Sequence, residues 1–402
     1  MVIGSATMAN GSATLTPAEA TARAQALIPV LAERAAKTEA LRRLPDETFA
    51  DLTESALMRI TQPRRFGGSE LALADAFDVI NLLSQGCGST GWTYSLVIAH
   101  AWFVALFDEQ AQQDVWGPDP DATMSTCFSG GAPPDAVDGG LHIRDGRWRF
   151  STGVHHADWV ALLAPVLQQD GPPDMRFLLI PKSEIEVVED WRSAGLAGTG
   201  SCSVQATDVF VPHHRTLRLH DLLNATGPGS KVNDGAMYKL PLVGPWQVFL
   251  TAPSVGIARA AMDAWIVRTK SRLRPATGAS RPGDPIVLAR LGGAAARIDA
   301  AETLIRQGAE SVTSDVLALG AAAPETLARC RRDNAFSVRL CVEAVEDLFL
   351  AAGASMLDES SPIQRHWRDV HAVAQHVANS LDMNLRAWGE RALGLNDGLR
   401  FG

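Results

Sequence analysis

WRFSTGVHHADW, residues 148–159, and PIQRHWRDVHAVAQH, residues 362–376, decide how this chain reads. In the first, the β-type run Arg147–Phe150 ends at two hydroxyls, Ser151 and Thr152, and passes into a turn holding His155 and His156. The second follows Ser361-Pro362-Ile363-Gln364, a capping box with proline at the first helical position. That pattern supplies partners for orphan backbone donors and presets φ. His371 and His376 are five residues apart, about 140° around a helix, so the pattern expects them on different faces and only one at a shared site.

Outward from the first stretch, Asp145-Gly146 stands between LHIR and RWRF and predicts a two-residue hairpin there. Other short β-type runs are ATMSTCF, WVALLAPV, RFLLI, IEVVE and SVQATDVFV. Their spacing predicts a small barrel or sandwich over 119–225. Before it the texture is helical. Thr16-Pro17-Ala18-Glu19 is a capping box, and further helices are expected at 46–57, 72–86 and 90–107, making an N-terminal α-helical domain over 15–118. After it, a Gly/Pro/Asn linker is expected at about 224–236, then a helical bundle over 236–396. Asp284-Pro285 and Pro324-Glu325 open two of its helices, and Ser337, Cys341, Ala344, Val345, Leu348 and Ala352 form a small apolar stripe suited to close packing. Residues 1–14 read as a disordered tail. The expected class is thus α+β, mostly α, in the order helices, β-domain, helices.

Composition narrows the functions. The chain has 402 residues and a net charge of −9, which disfavours nucleic acid as a partner. The longest apolar run, residues 92–107, is short of a membrane span and contains His100. No signal peptide is evident at the N-terminus. The five cysteines are odd in number, widely spaced and lack a Cys-x-x-Cys, which argues against a zinc site or disulfide framework; no metal is expected, and a cytoplasmic setting fits. Gly195-Leu-Ala-Gly198-Thr-Gly200 lies between β-runs with no helix after it, so it is not a dinucleotide fingerprint.

Four segments in order, 68–92, 148–159, 195–217 and 353–376, together resemble the acyl-CoA dehydrogenase superfamily. The resemblance covers about residues 17–395. It implies an N-terminal helical domain, a central β-barrel or sandwich and a C-terminal four-helix bundle. In the dehydrogenases of the final-helix type, a Tyr-Glu-Gly-Thr sequence supplies the glutamate that removes the α-proton of a thioester. Aligned on Arg368-Asp369, those positions here are His376, Val377, Ala378 and Asn379, and valine is no base. The chain is similar instead to the flavin-dependent aromatic hydroxylases on this scaffold, which carry histidines where His100 and His376 stand.

That resemblance implies the oxygenase component of a two-component (group D) flavin monooxygenase, using reduced flavin (FADH2 or FMNH2) and O2. A C4a-hydroperoxide would form in a dry pocket with a hydrogen bond near flavin N5, and a hydroxyl of Thr152 is implied there. His100 and His376 would handle protons, since imidazole titrates near neutrality. Ser151, Cys127, Ser129 and His155 are the further flavin-contacting candidates, and Trp92, His100 and Trp246 would line the substrate pocket. The plainer readings are a strand-end hydroxyl for Thr152, a satisfied core histidine for His100, core packing for the tryptophans, and structural or surface roles for His371, His213 and His214. A separate NAD(P)H-dependent flavin reductase, a small aromatic or heteroaromatic substrate and a homotetramer are implied partners. The competing functions are N- or S-oxygenation on the same scaffold, acyl-CoA dehydrogenation with a relocated base, and a flavin-free binding protein.

Overall fold

The computed structural model describes residues 14–270 and 284–395. All but the last residue of the expected N-terminal tail, and residue 396 at the end of the expected bundle, lie outside them.

Helix α1 (Pro17–Leu41) starts at its capping box: the Thr16 hydroxyl accepts from the Glu19 N–H, and Glu19 accepts from the Thr16 N–H. Its buried face, Ala20, Ala24, Leu31 and Ala35, recurs at helical spacing and meets α3 (Leu73–Gly86). Between them lies α2 (Asp46–Glu54). Helix α4 (Gly88–Val104) is apolar all round and buried all round apart from Ala101, so it runs through the core. A short α5 (Glu109–Trp116), absent from the sequence reading, is capped by the Asp108 carboxylate.

Among the described residues nine strands follow: β1 (Met124–Cys127), β2 (Ser129–Gly130), β3 (Asp135–Val137), β4 (Gly140–Ser151), β5 (Trp159–Val166), β6 (Asp174–Pro181), β7 (Glu186–Val188), β8 (Cys202–Pro212) and β9 (Thr216–Arg218). They form two facing sheets, β1-β5-β6-β9 and β2-β4-β8-β7, with β3 paired to β4. Inward residues of both, among them Ile143, Trp148, Leu162, Leu178, Val204 and Val209, close a separate core.

The hairpin expected at Asp145-Gly146 is not made. LHIR and RWRF are one strand, because both pair with β8: Asp145 faces Thr207 and Gly146 faces Ala206. The Asp145 carboxylate accepts from Gln205 and Thr207 across the ladder, and a Cβ on Gly146 would sit 2.5 Å from the Trp148 ring. The turn falls instead on Asp138-Gly139, between β3 and β4, where Gly139 has φ +77°. Near its end β4 loses register between Trp148 and Ser151, and Phe150 takes φ +69°. This bulge turns Ser151 inward and delivers Thr152 to the end of the sandwich.

Segment 224–236 is no free linker. Asn233 donates to the Ala105 carbonyl and to Gln112, which ties the segment to α4 and α5. Past α6 (Leu219–Leu223) come α7 (Val243–Lys270), α8 (Pro285–Leu319), α9 (Pro324–Ala352), α10 (Pro362–Ala374) and α11 (Leu381–Ala392). The Ser337 to Ala352 stripe is buried in the bundle. The capping box expected at Ser361 does not form: Ser361 donates to the Met356 sulfur and Gln364 to the Glu359 carbonyl. The five cysteines are separate, buried thiols. No helix among the described residues is long and apolar enough to cross a membrane.

Candidate active site

A cavity of about 820 Å³ opens where the β4 bulge, the 191–201 loop, the N-terminal end of α4 and α10 meet. Trp92, Phe128, Trp191 and Trp367 supply aromatic walls. Thr152, Ser129, Thr199, Ser201, His371 and His376 supply polar groups. Aromatic faces with a few convergent hydroxyls and imidazoles suit a planar heterocycle with polar edges, as an isoalloxazine is. No aspartate or glutamate is among the lining residues.

Thr152 is 7% exposed and hydrogen-bonds the Ser201 hydroxyl at 2.8 Å. His376 lies beyond the end of α10, which stops at Ala374, so the 140° argument does not apply to it. It caps a short turn, Val377–Asn379, and both His371 and His376 line the cavity. The structure thus corrects the expectation that only one of them reaches the site. That turn is pinned to α7 by Gln247, which donates to the Ala378 carbonyl, and by Asn379, which donates to the Leu250 carbonyl. The His376 Nδ1 accepts from the Ala378 N–H at 3.2 Å. An N–H only donates, so in the neutral ring the hydrogen is on Nε2. Burial pushes the imidazole down to about 4. Its ring is 5.9 Å from that of Trp92.

His100 is not on the cavity wall. Phe128 lines the cavity, Trp246 packs behind it at 5.0 Å between centroids, and His100 lies beyond at 6.0 Å from Trp246. Its Nδ1 donates to the Met124 carbonyl at 2.7 Å, and its Nε2 accepts from the Thr126 hydroxyl at 2.9 Å. Burial holds this imidazole at about 4 as well. Trp92 is at the wall; Trp246 is one ring back.

Ser129 faces the cavity, but Ser151 and Cys127 do not line it. Ser151 is fully buried and donates to Ser125. The Cys127 thiol is inside the sandwich core, where burial pushes it to about 12. For Cys127 the cause is alternation: its neighbours Thr126 and Phe128 point the other way, toward His100 and the cavity. His155 also lies off the cavity, with Nε2 3.6 Å from the Cys202 sulfur and Nδ1 3.6 Å from Glu189. Donor atoms of His155, Glu189 and Cys202 lie within 4.8 Å of one another. Burial lowers the His155 imidazole, Glu189 opposes that, and the nearby Arg43 and Lys182 cations lower it further, so they also oppose a metal ion there. His156 stacks on Phe49 and pairs with Asp46.

Phe128, Trp191, Thr199 and Ser201 line the cavity without having stood out in the sequence. Phe128 was visible as an aromatic beside Ser129. Thr199 and Ser201 lie in the glycine-rich segment 195–200 and just after it, which looked like a failed dinucleotide loop. Here that segment is the cavity wall. Asp369 accepts from the Leu196 N–H at 2.7 Å and Arg368 donates to the Ala194 carbonyl at 2.6 Å, so α10 grips it.

Residues 19–119 match the family description "Acyl-CoA dehydrogenase, N-terminal domain", and residues 248–381 match "Acyl-CoA dehydrogenase, C-terminal domain". The chain is 36% identical over 377 residues to a flavin-dependent monooxygenase oxygenase subunit, HsaA, of Rhodococcus jostii, covering 93% of this chain and 98% of that one. It is 34% identical over 374 residues to an FADH(2)-dependent resorcinol hydroxylase, oxygenase component, of a Rhizobium species, covering 90% of each. The crystal structure of the HsaA monooxygenase from M. tuberculosis superposes with a TM-score of 0.89 at 36% identity, covering 96% of this chain and all of that one. Fold and site therefore define an acyl-CoA dehydrogenase-like flavoenzyme. Within that superfamily, the chain belongs to the flavin-dependent monooxygenase oxygenase subunits.

Proposed function

We propose that this chain hydroxylates a small aromatic or indole-like compound, using reduced flavin and O2, as the oxygenase half of a two-component system. The observation that carries it is the cavity's lining: aromatic walls, two imidazoles, a row of hydroxyls and no carboxylate. Dehydrogenation of a thioester needs a carboxylate base in reach of the α-proton, and the lining offers none. Reduced flavin, when bound, gives two electrons to dioxygen, so that one oxygen atom enters the substrate and the other leaves as water.

The residues divide the remaining work. Trp92 and Phe128 stack on planar groups and keep water out, which strengthens every hydrogen bond inside. Thr152 would hold the flavin at its N5 edge. His376, with its hydrogen on Nε2, would hold a proton at that atom for the oxygen chemistry the flavin supplies when bound. Its low basicity keeps it neutral, so it works as a hydrogen-bond donor across physiological pH rather than as a standing cation. His100 holds Thr126 and β1 in place from behind Trp246 and so acts as a positioning residue for the wall formed by Phe128.

Electrons come from a separate NAD(P)H-dependent flavin reductase, in keeping with the lack of a dinucleotide fingerprint. The enzyme acts in the cytoplasm as a homotetramer. Exposed Val267, Ile286, Leu317, Leu319, Leu350 and Leu393 on the bundle support that assembly.

The deciding experiment supplies the protein with reduced FMN or FAD, ¹⁸O₂ and a panel of phenols, indoles, thiophenes and amino sugars. A phenol or indole product carrying one ¹⁸O is expected. Flavin reoxidation at the free-flavin rate, with all oxygen recovered as peroxide, would refute the proposal. An N- or S-oxide as the sole product would correct the substrate class.

A further inference from the structure

Three hydroxyls on the cavity wall form a chain whose direction the backbone dictates. Thr199 Oγ1 is 2.9 Å from the Leu196 carbonyl and 2.8 Å from Ser201 Oγ, and Ser201 Oγ is 2.8 Å from Thr152 Oγ1. A carbonyl only accepts, so the contact with Leu196 is attractive only if the Thr199 hydrogen lies on it. Thr199 then has no hydrogen for Ser201 and must accept from it. Ser201, its hydrogen spent on Thr199, must accept from Thr152. The single hydrogen of Thr152 is thereby turned away from the cavity, and what Thr152 offers the cavity is a lone pair.

The far end of the chain is fixed. Leu196 sits at φ +50°, and its carbonyl also accepts from the Thr199 N–H at 3.2 Å and from the Trp191 indole N–H at 3.3 Å, so the carbonyl that starts the sequence cannot swing away without breaking those bonds. Thr152, Thr199 and Ser201 are 7%, 1% and 5% exposed, so water has little access to reorient them.

We propose that Thr199 and Ser201 are positioning residues that make Thr152 a hydrogen-bond acceptor, so that the site discriminates between the two redox states of the flavin. This rests on the reading that Thr152 faces N5. Reduced flavin carries a hydrogen on N5 and satisfies the Thr152 lone pair. Oxidised flavin presents a lone pair there and meets it unfavourably. One hydrogen bond gained against one contact left unsatisfied corresponds to about a tenfold difference in affinity. The site would therefore take in reduced flavin and let the oxidised form go, with no change of shape.

The test is equilibrium binding of FMN and FAD under argon, oxidised and dithionite-reduced, followed by protein and flavin fluorescence. Wild type should favour the reduced form by about tenfold or more. Thr199→Val removes the acceptor for Ser201 and frees both hydrogens to turn round, so the ratio should fall toward one. Ser201→Ala should do the same by a different loss, and either variant suffices if the other fails to fold. Thr199→Ser should restore the wild-type ratio. Thr152→Val separates the N5 contact from the hydroxyl relay behind it. Wild type binding neither flavin would overturn the proposed function together with this inference. A wild-type preference that survives Thr152→Val would place the discrimination elsewhere and overturn the N5 assignment and the relay, leaving the enzyme class standing. A preference lost in Thr152→Val but untouched in Thr199→Val and Ser201→Ala would overturn the relay alone, as would equal affinity of wild type for both forms.

Discussion

His376 and His100 are both imidazoles held neutral by burial, yet their backbone partners force opposite tautomers. A backbone N–H at Nδ1 leaves His376 with its hydrogen on Nε2; a backbone carbonyl at Nδ1 leaves His100 with a bare Nε2. Donor and acceptor are thus assigned by main-chain chemistry rather than by charge. His376→Ala should lower kcat by about a hundredfold or more, the usual worth of a positioned proton donor. Reduced-flavin affinity should change by far less, and an equal loss in both would make His376 a binding group instead. Because its basicity is so low, the kcat profile between pH 6 and 9 should carry no ionisation of His376, measured as the same pH dependence in wild type and His376→Gln. That Thr152 and His376 stand at one cavity was legible in the sequence, since each lies at a strand or helix end beside a matched motif. Cys127 and Ser151 were not, because side-chain direction in a short or bulged strand shifts with register. One residue of slip puts the thiol in the sandwich core instead of the cavity.

At the scale of elements, the site depends on where two of them stop and on how one loop is held. Strand β4 ends in a bulge with Phe150 strained at positive φ, and that aims Thr152. Helix α10 ends at Ala374, which frees His376 from helical geometry and brings it onto the same wall as His371. The 194–201 loop is clamped to α10 so tightly that a Cβ on Gly195 would sit 2.0 Å from the Arg368 carbonyl oxygen. Gly195→Ala should therefore cost about 1–3 kcal/mol of stability by overpacking, read from the urea midpoint. It should also weaken flavin binding, because α10 must move away from the loop that carries Thr199 and Ser201. A stable variant with unchanged binding would show that the clamp does not position the site. Helix starts with a proline or a capping box were readable, since their cause is local. The Asp145-Gly146 turn was misread because its cause is not. Whether two runs fold back on each other or continue along a third strand depends on β8, some 60 residues away.

For the whole molecule, buried ionisable groups set the acid limit. His100, His366 and His376 are all held near 4 by burial, the Nδ1 of His366 without a hydrogen-bond partner. The unfolded chain takes up protons on these rings near 6.5 and the folded one does not, so stability is full above pH 6.5 and is lost as pH falls toward 4. Asp369 works the other way: burial raises it to about 6, so its penalty grows as pH rises from about 4 to 6. Three groups outweigh one, and denaturation midpoints should drop from pH 7 to pH 5. His366→Gln should flatten that slope, and a wild-type midpoint independent of pH would contradict the assignment. The proposed tetramer is checked by light scattering, where a monomer at micromolar concentration would reject it.

The sequence by itself determined the layer order, the helix starts, the aromatic and hydroxyl inventory and the missing glutamate, because these follow from local propensity, periodicity and residue chemistry. Only the tertiary structure decided which side chains share a cavity and which atom of each carries a hydrogen. Those depend on contacts between segments far apart in the chain: Met124 against His100, Leu196 against Asp369, Ser201 against Thr152. No local pattern encodes them, since each is set by how α4, the sandwich and α10 close on one another.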